Sequence, residues 1–164
     1  MTDKPSPQDR LVAAGFGAGW AIVPRLPERL TAWGFRLAAD RLWRRRGRSV
    51  LRLEANLARV KGTSPDDPAV RALSRDGMRS YFRYFHEVFR LPSMPTREIV
   101  SRMHVTGDQQ IYDNLARGRG VVLALPHMGN WDLAGAWFAR TGHPFTTVAE
   151  RLKPESLFHR YTAF

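Results

Sequence analysis

Four residues separate His127 from Asp132 in the run Pro126-His127-Met128-Gly129-Asn130-Trp131-Asp132. An imidazole with one nitrogen held by a carboxylate keeps its other nitrogen basic, which is the base-and-orienter half of a catalytic triad. On one unbroken helix, five steps of about 100° would leave the two side chains roughly 140° apart, so a turn must come between them. Gly129 tolerates such a turn, and Asn130 suits the N-cap of a helix that starts at Trp131 and runs through Leu133, Ala134, Trp137 and Phe138. Asp132 then falls in the first turn, where the helix dipole favours a carboxylate. The chain has no cysteine, and the nearest serines, Ser101 and Ser156, are remote in sequence. A base without a neighbouring nucleophile deprotonates a hydroxyl of its substrate. Spacing alone is weak evidence, since a chain of this composition contains a His-x4-acid pair by chance in roughly two cases in five. The competing reading is a histidine that merely ends a strand. His86, His104, His143 and His159 have no acid at this spacing and read as structural.

The elements that must position the pair follow from apolar patterning. Val121 to Leu125 is a continuous apolar run, with Gly118 and Gly120 before it and Pro126 after it. This predicts a strand buried on both faces, with His127 at its carboxyl end, where parallel sheets collect ligands. Strands over 103–106 and 145–148, alternating with helices over 108–116, 131–140 and 154–161, predict an α/β fold. Its sheet would be largely parallel or mixed, helix-covered and incomplete. Glu150 and Arg151 would end the last strand in the same crevice, Arg151 holding a phosphate or carboxylate and Glu150 sugar hydroxyls. An ordinary surface pair is the alternative.

Ahead of this layer the pattern is helical. Residues 1–92 read as a helical, membrane-facing part and 93–164 as the first part of an α/β core, within one domain overall. Lys and Arg exceed Asp and Glu by 26 − 15 = 11, so the surface seeks anionic partners: a membrane leaflet, coenzyme or phospholipid phosphates, or nucleic acid. The absence of cysteine excludes disulfides and thiolate zinc sites. Leu11 to Val23, which contains Trp20, is too short for a bilayer span of about twenty residues. It reads as an interfacial helix, against a core helix or a signal segment. Pro27 to Trp43 is an amphipathic helix with Leu30, Trp33 and Leu37 at helical spacing, followed by the cluster Trp43-Arg44-Arg45-Arg46. Trp20, Trp43, Arg44, Arg45 and Arg46 form the expected contact with anionic headgroups; a solvated basic loop is the alternative. A third helix, capped by Ser49, carries Val50, Leu53, Leu57 and Val60 and ends at Gly62. A long fourth, from Pro68 to Leu91, carries Arg71, Arg75, Arg79 and Arg83 as a basic ridge, read as a solvated face or a contact for lipid phosphates. No nucleic-acid motif accompanies the arginines, so no nucleic-acid partner is expected.

The block from Gly118 to Asp132, together with Arg52-Leu-Glu-Ala-Asn-Leu57, Val105-Thr-Gly107 and Val148-Ala-Glu-Arg-Leu152, resembles the bacterial glycolipid acyltransferases. These comprise the lipid A lauroyl/myristoyl acyltransferases and the actinobacterial phosphatidylinositol mannoside acyltransferases. The Val-Ala-Glu-Arg run and the Arg- and Ala-rich composition favour the actinobacterial branch. The resemblance implies a transferase that moves a fatty acyl chain from acyl-CoA to a mannose of a membrane glycolipid, peripheral at the cytoplasmic face of the plasma (inner) membrane. It implies His127 and Asp132 as catalytic residues, Gly129, Asn130, Glu150 and Arg151 beside the substrate, and no metal or cofactor beyond the acyl-CoA donor. Family members are longer, so the chain resembles an N-terminal portion. The alternatives are acylation of lipid A from an acyl carrier protein, and a non-catalytic basic module for membranes or nucleic acid.

Overall fold

The computed structural model describes residues 6–126, 128–142, 145–148, 151 and 155–161. They fall into two units, Met1–Pro92 with Glu150–Phe164, and Ser93–Ala149.

In the first unit α1 spans Pro7–Ile22 and opens on a capping box: Ser6 Oγ accepts from the Asp9 amide, and the Asp9 carboxylate accepts from the Ser6 amide. A 3₁₀ turn, Val23–Arg25, follows, with Pro24 ending the helix. The next helix, α2, runs Glu28–Arg45, and α3 runs Arg48–Lys61, stopping at Gly62 in the left-handed region with φ 66°. Gly47, not Ser49, is its N-cap. The 23-residue α4, Pro68–Arg90, begins at Asp67, whose side chain accepts from the Ala69 amide at 2.7 Å. It is the spine on which α1, α2 and α3 pack, burying Val70, Ser74, His86, Val88 and Phe89. A short helix, α8, Glu155–Tyr161, rests on α1 with Leu157 buried.

Two packing features fix this unit. Phe16, Trp20, Phe85 and Phe89 form an aromatic cluster, with the Phe16 and Phe89 rings 5.5 Å apart. Gly19 lets α1 approach it, since a Cβ there would stand 2.6 Å from Phe89 Cε1. On the opposite flank of the cluster, buried His86 meets Thr31 Oγ1 through Nε2 at 2.9 Å and stacks at a tilt on Phe35.

The second unit holds α5 (Thr96–Arg102), α6 (Gln109–Ala116) and α7 (Trp131–Arg140), with α5 packed on α7. The expected α/β fold is overturned here: the described residues contain helices and no strand or sheet. A strand exists only where a neighbour takes its backbone hydrogen bonds. Val121 to Leu125 is without regular structure and solvent-exposed, Val122 at 96 %, instead of buried on two faces. Residues 103–106 and 145–148 form no strand either, and α5 occupies a stretch where no helix was expected. The helices expected over 108–116 and 131–140 are present.

Candidate functional site at the start of α7

Gly129 takes φ 65°, the left-handed turn that a side chain would resist. Asn130 follows as N-cap, its side chain accepting from the Leu133 amide at 2.9 Å while its carbonyl accepts from the Ala134 amide at 3.3 Å. Asp132 lies in the first turn, half-buried, at the positive end of the helix dipole. Further along α7, Trp137 and Phe138 pack at 6.1 Å, and Phe145 meets Phe138 edge-on at 5.7 Å. The local geometry thus joins Gly129, Asn130 and Asp132 as a turn, a cap and a first-turn acid. His127 and Glu150 lie outside the described residues. Arg151 is exposed and ion-paired with Glu155.

The five residues expected at a membrane divide. Trp20 belongs to the aromatic cluster with Phe16 and Phe89. Trp43 donates from Nε1 to Ser74 Oγ at 2.9 Å, with the Arg71 guanidinium 4.6 Å over its ring. Arg46 turns back to Glu54 at 2.9 Å and to Asp66. Arg44 and Arg45 are exposed.

Three of the four ridge arginines of α4, Arg71, Arg75 and Arg79, turn inward to buried carboxylates, and Arg83 stays on the solvated face, 3.8 Å from Glu87. Arg75 and Arg79 each clamp Asp40 with two hydrogen bonds of 2.8 to 3.0 Å. Arg71 pairs with Glu54 at 2.8 Å, and Ser74 Oγ donates to the same carboxylate at 3.3 Å. Hydrogen bonds from Arg79, and then Arg75, hold the Asp40 carboxyl well below the usual carboxylate range against the opposing effect of burial. The same pairing raises both guanidinium pKa values. Sequence reasoning passed over both acids. A signal was available, because Glu54 stands between Val50 and Ala58 at four-residue spacing, in the row that α3 buries.

A turn, a cap and a half-buried first-turn acid thus stand together at the start of α7, with no residue of that helix fully buried. The chain belongs to the bacterial lipid A biosynthesis acyltransferase family, whose model matches residues 7–164. It is similar to the phosphatidylinositol mannoside acyltransferase of Mycolicibacterium smegmatis, 44 % identical over 150 residues that make up 92 % of this chain and 48 % of the relative. The protein of the same description from Mycobacterium tuberculosis strain H37Rv is 44 % identical over 151 residues, 89 % of this chain and 46 % of the relative. The chain therefore spans about half the length of the curated relatives it matches. The family resemblance read from the motifs is borne out.

Proposed function

We propose that this chain carries the proton-transfer half of an acyltransferase site that moves a fatty acyl group from acyl-CoA to a mannose hydroxyl of a phosphatidylinositol mannoside. The observation that carries the reading is the turn-cap-acid arrangement of Gly129, Asn130 and Asp132 directly after His127, in a chain whose relatives are described as phosphatidylinositol mannoside acyltransferases. The His127 imidazole takes the hydroxyl proton as the sugar oxygen attacks the thioester carbonyl, and Asp132 orients the ring and stabilises its charge. Collapse of the tetrahedral adduct breaks the carbon–sulfur bond, and the departing thiolate takes the proton back from the imidazolium. From the resemblance of the Val148-Ala-Glu-Arg-Leu152 run alone, Glu150 is assigned to sugar hydroxyls and Arg151 to a phosphate or carboxylate. Because the acceptor is a lipid, the protein works peripherally at the cytoplasmic membrane face.

The test is transfer of labelled acyl groups from acyl-CoA to detergent-dispersed mannosylated phosphatidylinositol. His127→Ala is expected to lose at least about 10²-fold in kcat with little change in KM. Undiminished transfer by that variant sinks the assignment. The family description also keeps in view the alternative of lipid A acylation, for which the donor would be an acyl carrier protein. Replacing acyl-CoA by acyl carrier protein in the same assay decides the donor, with faster transfer from acyl-CoA expected.

A further inference from the structure

Leu30, Trp33 and Leu37 recur along α2 at three- and four-residue steps, the spacing by which an amphipathic helix presents one apolar face. That face would ordinarily be buried. The structure instead buries Thr31, Ala39 and Asp40 of α2 and half-buries Phe35 and Trp43, all on residues that serve α4. Leu30, Trp33 and Leu37 are left 54 %, 60 % and 47 % exposed, and Leu26, just ahead of the helix, is exposed too.

The same stripe continues into charge. At about 100° per residue, Arg41 and Arg44 fall within about 40° of Leu30 around the axis, and Arg29 and Arg36 lie together along the edge of the apolar part next to Trp33. All four are exposed. The contrast with α4 is instructive, because there Asp40 and Glu54 take up the charge of Arg71, Arg75 and Arg79. The outer face of α2 is thus an apolar strip, lined by arginine along one edge and continued by arginine, roughly 20 Å long at 1.5 Å per residue.

We infer that this face of α2 lies in the plane of an anionic lipid surface, with Leu30, Trp33 and Leu37 inserted below the headgroups and Arg29, Arg36, Arg41 and Arg44 on their phosphates. The charge complement picks the occupant. A second copy seated on the same stripe would set arginine against arginine in parallel packing, and would bury Arg41 and Arg44 against Leu30 and Trp33 in antiparallel packing. A nucleic-acid backbone would take the arginines and leave three large apolar side chains in water. A lipid surface uses both sets at once, and a tryptophan at the headgroup level is a common anchor of such helices. The described helices contain none long and apolar enough to cross a membrane, and an in-plane helix needs none. The inference rests on the reading above, in that it names the surface where a lipid acceptor is met.

The experiment is cosedimentation of the chain with vesicles of phosphatidylcholine, alone and mixed with phosphatidylglycerol. The wild type is expected to bind the mixed vesicles at least about tenfold more tightly than the neutral ones and to be released by salt. The exposed triple variant Leu30→Ser, Trp33→Ser, Leu37→Ser, checked for helicity by circular dichroism, is expected to lose about tenfold or more on mixed vesicles. Arg41→Glu with Arg44→Glu is expected to lose as much while keeping the apolar strip. Unchanged binding of either variant, equal binding to neutral vesicles, or a wild-type dimer that the triple variant dissolves would each overturn the inference. Acyl transfer in detergent separates this from the catalytic reading. A triple variant active in detergent with no vesicle defect sinks the docking face alone, whereas wild type that binds vesicles but transfers nothing in detergent sinks the catalysis alone.

Discussion

The helical unit before Pro92 and the stretch from Ser93 to Ala149 use similar apolar content in opposite ways. In the first, helices bury stripes against α4, and two carboxylates are drawn inside to meet the arginines that line it. In the second, Ile99 is the one core residue among those described, and Val121 to Leu125 faces solvent. The difference follows from where backbone hydrogen bonds go. A helix satisfies its own groups and needs partners only for one face, while an extended run needs a neighbour along its whole length. Order in the first unit is therefore held by identifiable side chains whose removal measures it.

The largest expected effect is at Glu54, which is wholly buried and accepts from Arg46, Arg71 and Ser74. Glu54→Ala leaves two guanidinium groups facing an empty pocket, and the loss is expected to be about 3 kcal/mol in urea denaturation. A change under about 1 kcal/mol would mean that the ion pairs do not organise this unit and would erase the contrast drawn above.

Asp40 comes next. Asp40→Asn keeps the shape and removes the charge that Arg75 and Arg79 share, at an expected cost of about 2 kcal/mol, moderated because both arginines reach solvent. The pH dependence has a definite sign. A carboxyl held below its ordinary value binds its proton more weakly in the folded chain, so its contribution is complete above the unfolded value of about 4 and fades as pH falls below that toward the folded value. The stability gap between wild type and Asp40→Asn should therefore be constant from about pH 6 to 8 and shrink below about pH 4. A gap that widened on acidification would contradict the pairing.

A smaller effect is expected at Gly19, where an added methyl would meet the Phe89 ring at 2.6 Å. Gly19→Ala gains helix propensity, by about 1 kcal/mol, but must displace a buried ring held by Phe16, Trp20 and Phe85. A net loss of about 1 kcal/mol, read from thermal unfolding, is expected, and a stabilised variant would show that the aromatic cluster yields.

These residues also mark what was legible beforehand. The extents of α2, α4 and α7 and the left-handed stop at Gly62 could be read because periodicity, caps and glycine act within a few residues. The lack of a sheet among the described residues could not, because a five-residue apolar run looks the same whether buried between neighbours or bare. The arginine ridge was visible as a four-residue repeat, but the buried carboxylates that Arg71, Arg75 and Arg79 meet lie 17 to 39 residues away on other helices. The face of α2 shows the same limit in reverse. Its apolar spacing was plain, and only packing revealed that the stripe points outward. At the candidate site the parts set by adjacent residues, Gly129, Asn130 and Asp132, take the expected geometry, whereas His127 and Glu150 fall outside the described residues.

The smallest effect tests whether that local geometry serves catalysis. Asn130→Ala deletes the acceptor for the Leu133 amide, which is worth about 1 kcal/mol to a helix start. Because the lost bond closes the turn that carries Asp132, faster hydrogen exchange at Leu133 is expected together with a several-fold fall in acyl transfer, well short of that for His127→Ala. Asn130→Asp separates two origins of the fall, since aspartate caps a helix as well as asparagine does. If exchange and transfer recover together, the asparagine acts by holding the first turn and thus Asp132. If exchange recovers while transfer stays low, its amide is needed at the substrate, and the cap and the binding contact are two separate functions of one side chain.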